Sequence, residues 1–174
     1  IKIFDELSKQ KLDWSKVQVT RVDDRLVDPD NDHSNQKLIN DYLLKNEAKK
    51  SKFIPLNKNL NKGENFKFPL DVCLLGIGND GHFASLFPNM INNTNMLDPK
   101  SKLSIDEVKA NGNPFVPRIS MNLPLILSSN LIILLIKGKL KQEVLREAYN
   151  NKNIPLYYLL KHRINNFHIE LLND

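Results

Sequence analysis

An apolar run that halts at three closely spaced glycines limits what this chain can fold into. Val72-Cys73-Leu74-Leu75 leads into Gly76-Ile77-Gly78-Asn79-Asp80-Gly81-His82-Phe83-Ala84-Ser85-Leu86-Phe87-Pro88. A short, continuously apolar segment bounded by turn residues reads as a buried strand, the kind that parallel sheets cover on both faces. The glycines let the backbone turn tightly after it. The turn carries Asp80 and His82, expected to sit at the start of a short helix. In an open α/β sheet, ligands bind beyond the carboxyl ends of the strands. A histidine placed there moves protons near neutral pH.

Gly76-Ile77-Gly78-Asn79-Asp80-Gly81 also fits the G-x-G-x-x-G of dinucleotide-binding folds, a motif that requires a preceding strand and a sustained following helix. Pro88 lies only seven residues beyond Gly81, and an interior proline breaks a helix. The nucleotide reading is therefore the weaker one.

The whole string resembles the signature of 6-phosphogluconolactonases, G-x-G-x-D-G-H-x-A-S-L-F-P. Gly76, Gly78, Asp80, Gly81, His82, Ala84, Ser85, Leu86, Phe87 and Pro88 all fall in place. The sister family, glucosamine-6-phosphate deaminases and isomerases, shares G-x-G-x-D-G-H but typically continues with Phe-Asn-Glu-Pro after the alanine. Ser85-Leu86-Phe87-Pro88 favours the lactonase, and the deaminase glutamate is missing. Upstream, Trp14 fits, and Asp23-Asp24-Arg25-Leu26-Val27 with Ser34-Asn35 resembles the D-E-R-x-V segment and its later S-N, Asp24 replacing the usual glutamate. Downstream, Arg118-Ile119-Ser120 resembles the R-I-T/S strand, and Gly138-Lys139-Leu140-Lys141 resembles G-x-x-K at the start of a late helix.

The resemblance implies hydrolysis of 6-phospho-D-glucono-1,5-lactone in the oxidative pentose phosphate pathway, with no cofactor. It also implies an opening strand and a Gly-Gly-Ser/Thr loop for the substrate phosphate. Ile1-Lys2-Ile3-Phe4 looks like the helix that follows that loop, so an N-terminally incomplete domain is expected.

A chain of 174 residues suits one domain over 1–174. Its net charge of +5 helps attract a phosphorylated sugar lactone, although a bias towards Lys and Asn codons explains the same balance. No basic helix alternates with aromatics, so no nucleic-acid partner is expected. No apolar run approaches the roughly 20 residues of a membrane helix, and no signal peptide is visible. The lone Cys73 excludes an internal disulfide and fits a reducing, cytoplasmic setting. A small buried thiol is its expected role. His33, His82, His162 and His168 show no paired ligand spacing, so no metal is expected. A monomer or weak oligomer is anticipated.

Strand and helix patterns alternate along the chain, predicting a doubly wound, mostly parallel α/β sandwich flanked by helices. Phe4 and Leu7 mark an opening helix. Val17, Val19 and Val22 mark a strand running into Asp23. Ser34 caps a helix that turns Leu38, Ile39, Tyr42 and Leu43 inward. Residues 45–66, with Pro55 and Gly63, read as an irregular loop before a strand at 70–75. Residues 89–117 read as a weakly patterned connection. Strands follow at 118–123 and 131–136, then a helix burying Leu140, Val144, Leu145 and Ala148, and an edge strand at 167–172.

Lactone hydrolysis needs an activated water, donors for the carbonyl oxygen and a grip on the phosphate. His82 is the expected general base, held neutral by the positive end of the following helix. Asp80 orients His82 or forms an Asx turn, and both roles are compatible. The amides around Gly78 and Gly81 are expected to donate to the oxyanion. Arg25 clamps phosphate or steadies the carbonyl, or else pairs with Asp23 or Asp24. Arg118 and Lys141 are the other phosphate candidates, Lys141 at a helix start. Ser85 lacks the geometry of a nucleophile and reads as packing or helix support. Asp23 and Asp24, adjacent on a strand, point to opposite faces. Two alternatives stand beside the lactonase: a deaminase or isomerase on this fold, and a sugar-phosphate-binding fragment without turnover.

Overall fold

The computed structural model describes residues 1–60, 66–92, 95–163 and 166–172. In chain order the regular elements are α1 (Lys2–Ser8), β1 (Gln18–Val19), β2 (Asp23–Arg25), α2 (Asn35–Tyr42), β3 (Lys52–Phe53) and β4 (Cys73–Gly76). They continue with β5 (Ile105–Asn111), β6 (Val116–Met121), α3 (Leu123–Leu127), β7 (Ile132–Lys137), α4 (Lys139–Ala148), α5 (Pro155–His162) and β8 (Phe167–Leu172).

The apolar runs form the parallel sheet predicted for them, ordered β4-β7-β8 with β8 at its edge among the described residues. Ile132, Leu134 and Ile136 are fully buried, while Ile133 and Leu135 between them are half-buried. Both faces of β7 are thus covered, which is why its sequence reads as a continuous apolar run. Gly76 of β4 pairs with Leu135 of β7, so both strands end on the same side, where the glycine loop and the start of α4 emerge.

The strand predicted from Val17 into Asp23 is two strands in different sheets. β1 pairs in parallel with β3, whereas β2 runs antiparallel to β6, which is also paired with β5. The chain changes sheets over residues 20–22, with the Val22 carbonyl accepting from Met121 N at 2.8 Å. This three-stranded antiparallel sheet went unforeseen because β5 hides its period. Only Ile105 and Val108 of Ile105–Asn111 are buried, and the register shifts between Val108 and Asn111, so no two-residue alternation survives. β3 fell within the segment read as a loop, and Gly63 lies outside the described residues.

α2 follows its predicted cap, since Ser34 Oγ accepts from the N–H groups of Gln36 and Lys37. Ile39 and Leu43 are buried with Trp14 and Ala48 in a small second core, whereas Leu38 and Tyr42 are half-buried. On α4, Val144 and Ala148 face inward as expected, but Leu140 is 54% exposed. It continues the i, i+4 stripe of Val144 and Ala148 but stands in the first turn, at the end of the helix. Two short helices had no prediction. α3 is capped by the Asn122 side chain, and α5 starts on Pro155, a favoured first residue because its missing N–H needs no acceptor there.

No helix among the described residues is long and apolar enough to cross a membrane. Cys73 is buried, and burial pushes its thiol up to about 12. Alkylation of the native protein with iodoacetamide at pH 8 is expected to run about a thousandfold slower than in denaturant, because the thiolate is the nucleophile. Comparable native and denatured rates, read by mass spectrometry, would show the thiol to be open.

Candidate active site

The loop after β4 folds around two glycines that cannot be replaced without displacement. A Cβ on Gly78 would stand 2.2 Å from the His82 ring and 2.7 Å from Asp80 Oδ1. Gly81 takes a left-handed φ of 76°, and a Cβ there would meet Ile154 Cγ2 at 2.2 Å. Its carbonyl accepts from Leu156 N of α5 at 3.1 Å, fixing the loop to that helix.

Asp80 Oδ1 lies 2.5 Å from His82 Nδ1 and accepts from His82 N at 3.2 Å. One carboxylate oxygen therefore makes the Asx-type turn and holds the imidazole. A neutral ring that donates Nδ1–H to a carboxylate keeps its lone pair on Nε2. The His82 side chain is 30% exposed, so it is neither turned into the core nor fully in solvent.

Two expectations about this loop are overturned. No helix starts at His82: Phe83 and Leu86 close a tight turn, with Ala84 at φ 47°, before a single 3-10 turn at Pro88–Met90. The dipole expected from a helix following His82 is therefore absent. The amides of Gly78 and Gly81 are also occupied. Gly78 N donates to the His82 carbonyl at 2.8 Å and Gly81 N to the Gly78 carbonyl at 3.1 Å. They shape the loop and are not available to bind substrate.

Beside His82 lies the face of β2 and β6 that carries Asp23, Arg25, Arg118 and Ser120. Arg25 stands opposite Arg118 in register, and Asp23 opposite Ser120. Ser85 is fully buried and joins the histidine loop to this face: its Oγ donates to Asp23 Oδ2 at 2.6 Å and its N–H to Ser120 Oγ at 3.2 Å. It supports a loop, not the expected helix. Burial pushes the Asp23 carboxyl above the usual carboxylate range, against the opposing Ser85 hydroxyl and the charges of Arg25 and Arg118.

Asp24, on the other face as expected, gathers the base of α2. Its carboxylate accepts from Ser34 Oγ and from the N–H groups of Asn35 and Gln36, and pairs with Arg21. A side chain shorter than the family's usual glutamate suffices for these contacts.

The three predicted cations differ in availability. Arg118 is 2% exposed, and its Nε and Nη2 donate to the carbonyls of Asn111 and Pro114 at 3.1 and 3.2 Å. Burial lowers its ordinary value, with the neighbouring Arg25 charge adding to the effect. Arg118 thus clasps the β5–β6 turn, which argues against its expected role as a phosphate grip. Arg25 forms no ion pair with Asp23 or Asp24 among the described residues; its Nη1 donates instead to Asn35 Oδ1 at 2.8 Å. The buried Arg25 Nε has no partner there. Lys141 lies in the first turn of α4, one turn before Val144, whose Cγ1 would be 3.3 Å from a Cβ on Gly81. It is placed beside the loop and makes no ion pair among the described residues.

Phe87 and Asn35 were matched as motif residues without a role. The Phe87 ring touches both the His82 imidazole, tilted against it with centroids 4.6 Å apart, and the Arg118 guanidinium at 5.2 Å. Phe87 belongs to the same string as His82, and that proximity was its only signal.

A parallel α/β sheet with a carboxylate-held histidine at its carboxyl edge and cations around it is thus the class of protein in hand. The sequence profile described as glucosamine-6-phosphate isomerases/6-phosphogluconolactonase matches residues 1–168. The chain belongs to that family. It is 38% identical over 156 residues to a 6-phosphogluconolactonase of Rhizobium meliloti, covering 83% of this chain and 67% of the relative. A 6-phosphogluconolactonase of Neisseria meningitidis serogroup A is 32% identical over 97% of this chain and 79% of its own length. The crystal structure of a 6-phosphogluconolactonase from Shewanella baltica superimposes with a TM-score of 0.83 at 30% identity, covering 99% of this chain and 78% of that one. A monomeric glucosamine-6-phosphate deaminase shares the fold at TM-score 0.66 and 22% identity.

Proposed function

We propose that this chain hydrolyses 6-phospho-D-glucono-1,5-lactone to 6-phosphogluconate, with His82 as general base. The observation that carries the reading is the 2.5 Å contact between Asp80 and His82 Nδ1, which leaves Nε2 as the basic nitrogen. In the proposed step, Nε2 takes a proton from water as the water oxygen attacks the lactone carbonyl carbon. Collapse of the tetrahedral oxyanion breaks the bond to the ring oxygen. The imidazolium returns its proton there, giving a hydroxyl and a carboxylic acid that then ionises. Asp80 stabilises the imidazolium without taking its proton. Arg25 and Lys141 are the proposed anion grips, the first by charge-assisted hydrogen bonds and the second at a helix start.

The named relatives and the Ser85-Leu86-Phe87-Pro88 continuation support the lactone substrate over an amino sugar. The reaction belongs to the oxidative pentose phosphate pathway, and the single thiol suits the cytoplasm. We read 1–174 as belonging to a single domain that acts as a monomer or weak oligomer. Freshly generated 6-phosphogluconolactone is expected to disappear with the protein far faster than it does spontaneously. A rate equal to the spontaneous one removes the proposal, and ammonia release from glucosamine 6-phosphate replaces it with the deaminase.

A further inference from the structure

The hydrogen bonds around Asn35 are arranged unlike those of a surface amide at a helix start. Its Oδ1 accepts from Arg25 Nη1 at 2.8 Å, while its Nδ2 donates to the Asp23 carbonyl at 3.0 Å and to Asp23 Oδ1 at 3.2 Å. Its own N–H donates to Asp24 Oδ1 at 2.6 Å. The amide thus stands between a guanidinium and a carboxylate two residues apart on the same face of β2. Opposite charges so placed would ordinarily pair, and here they do not. A neutral side chain with one acceptor end and one donor end satisfies both without letting them neutralise each other.

We infer that Asn35 is a positioning residue that insulates Arg25 from Asp23 and so keeps the guanidinium free for an anionic group of the substrate. The inference rests on the lactonase reading for the identity of that substrate. The buried Arg25 Nε, without a partner among the described residues, is the second observation: a rigidly held donor is left over after the protein's own contacts. The protein's own contacts thus engage the guanidinium through Nη1 alone, and the donors they leave over suit an anion. Asn35→Asp would put a carboxylate where the amide oxygen now meets Arg25. That carboxylate would occupy the guanidinium itself and repel an anionic ligand.

The test is a double-mutant cycle in binding of 6-phosphogluconate, measured by calorimetry on the full chain with Asn35→Asp, Arg25→Gln and both together. Asn35→Asp is expected to weaken binding about tenfold to a hundredfold, the range of one charge-assisted hydrogen bond. Added to Arg25→Gln, it should weaken binding by less than about twofold, because there is no longer a guanidinium to neutralise. Wild-type affinity in Asn35→Asp overturns the inference. So does a full penalty that persists without Arg25, since a merely structural defect behaves that way. If Asn35→Asp fails to fold, Asn35→Ser, which stays neutral, runs the same cycle with a smaller expected loss. Inorganic phosphate serves as a second probe. A penalty with both ligands places Arg25 at the phosphate, and a penalty with 6-phosphogluconate alone places it at the carboxylate end. Binding and turnover fail separately: a wild type that binds but does not hydrolyse lactone sinks the lactonase reading and leaves Asn35 standing. A wild type that binds neither ligand overturns the inference.

Discussion

His82→Ala is expected to lower kcat for 6-phosphogluconolactone by at least about a hundredfold, the lower range of general-base contributions. KM should change little, because the imidazole is asked to move a proton and not to hold the sugar. The variant should still fold. Its losses are one hydrogen bond to a half-exposed Asp80 and the ring contact with Phe87 at 4.6 Å. Contacts of these kinds are worth about 0.5–1.5 kcal/mol each, a modest fraction of a domain's stability. A drop in kcat with an unchanged melting temperature therefore supports the role. Turnover near wild type in a folded His82→Ala would remove His82 from the mechanism.

What was legible in the residues follows what each signal depends on. The parallel strands Cys73–Gly76 and Ile132–Lys137 could be read because burial on both faces leaves a local, uninterrupted apolar mark. Ile105–Asn111 could not, because its register shift removes the alternation that defines a strand. The split at residues 20–22 depends on partners far along the chain, Lys52 for one strand and Ser120 for the other. Within the candidate site, the pairing of Asp80 with His82 was legible because they lie two positions apart in one turn. The destination of an amide proton was not: whether Gly78 N points at a ligand or at the His82 carbonyl is decided by the closed shape of the loop. The partners of Arg118 were hidden for a related reason. Its type and position suit an anion, but the carbonyls of Asn111 and Pro114 reach it first. Likewise, Asp23 is a nearer partner for Arg25 in sequence than Asn35, and only the turn from β2 into α2 brings the amide between them.

Gly78→Ala should cost activity, whereas Gly81→Ala should cost stability. The two glycines sit in one loop, so the contrast tests what each is for. Gly78 has no need of a left-handed backbone, and its constraint is space: the added methyl would meet the His82 ring at 2.2 Å and Asp80 Oδ1 at 2.7 Å. Both obstacles are ends of side chains that can swing aside. An off-rotamer side chain costs about 0.5–1.5 kcal/mol, and the stiffer unfolded chain of an alanine returns about 0.4–1 kcal/mol. Stability should then barely change, while the ring leaves Asp80 and kcat falls by about tenfold or more. At Gly81 the obstacle is Ile154, rooted at the start of α5, and alanine must also hold a φ of 76°. The left-handed conformation alone costs roughly 1–2 kcal/mol, and the displaced helix adds to it. Thermal melts beside steady-state kinetics separate the cases. If Gly78→Ala keeps full kcat, the histidine does not need the place the structure gives it, and the Asp80–His82 pair is not the proton-transfer unit.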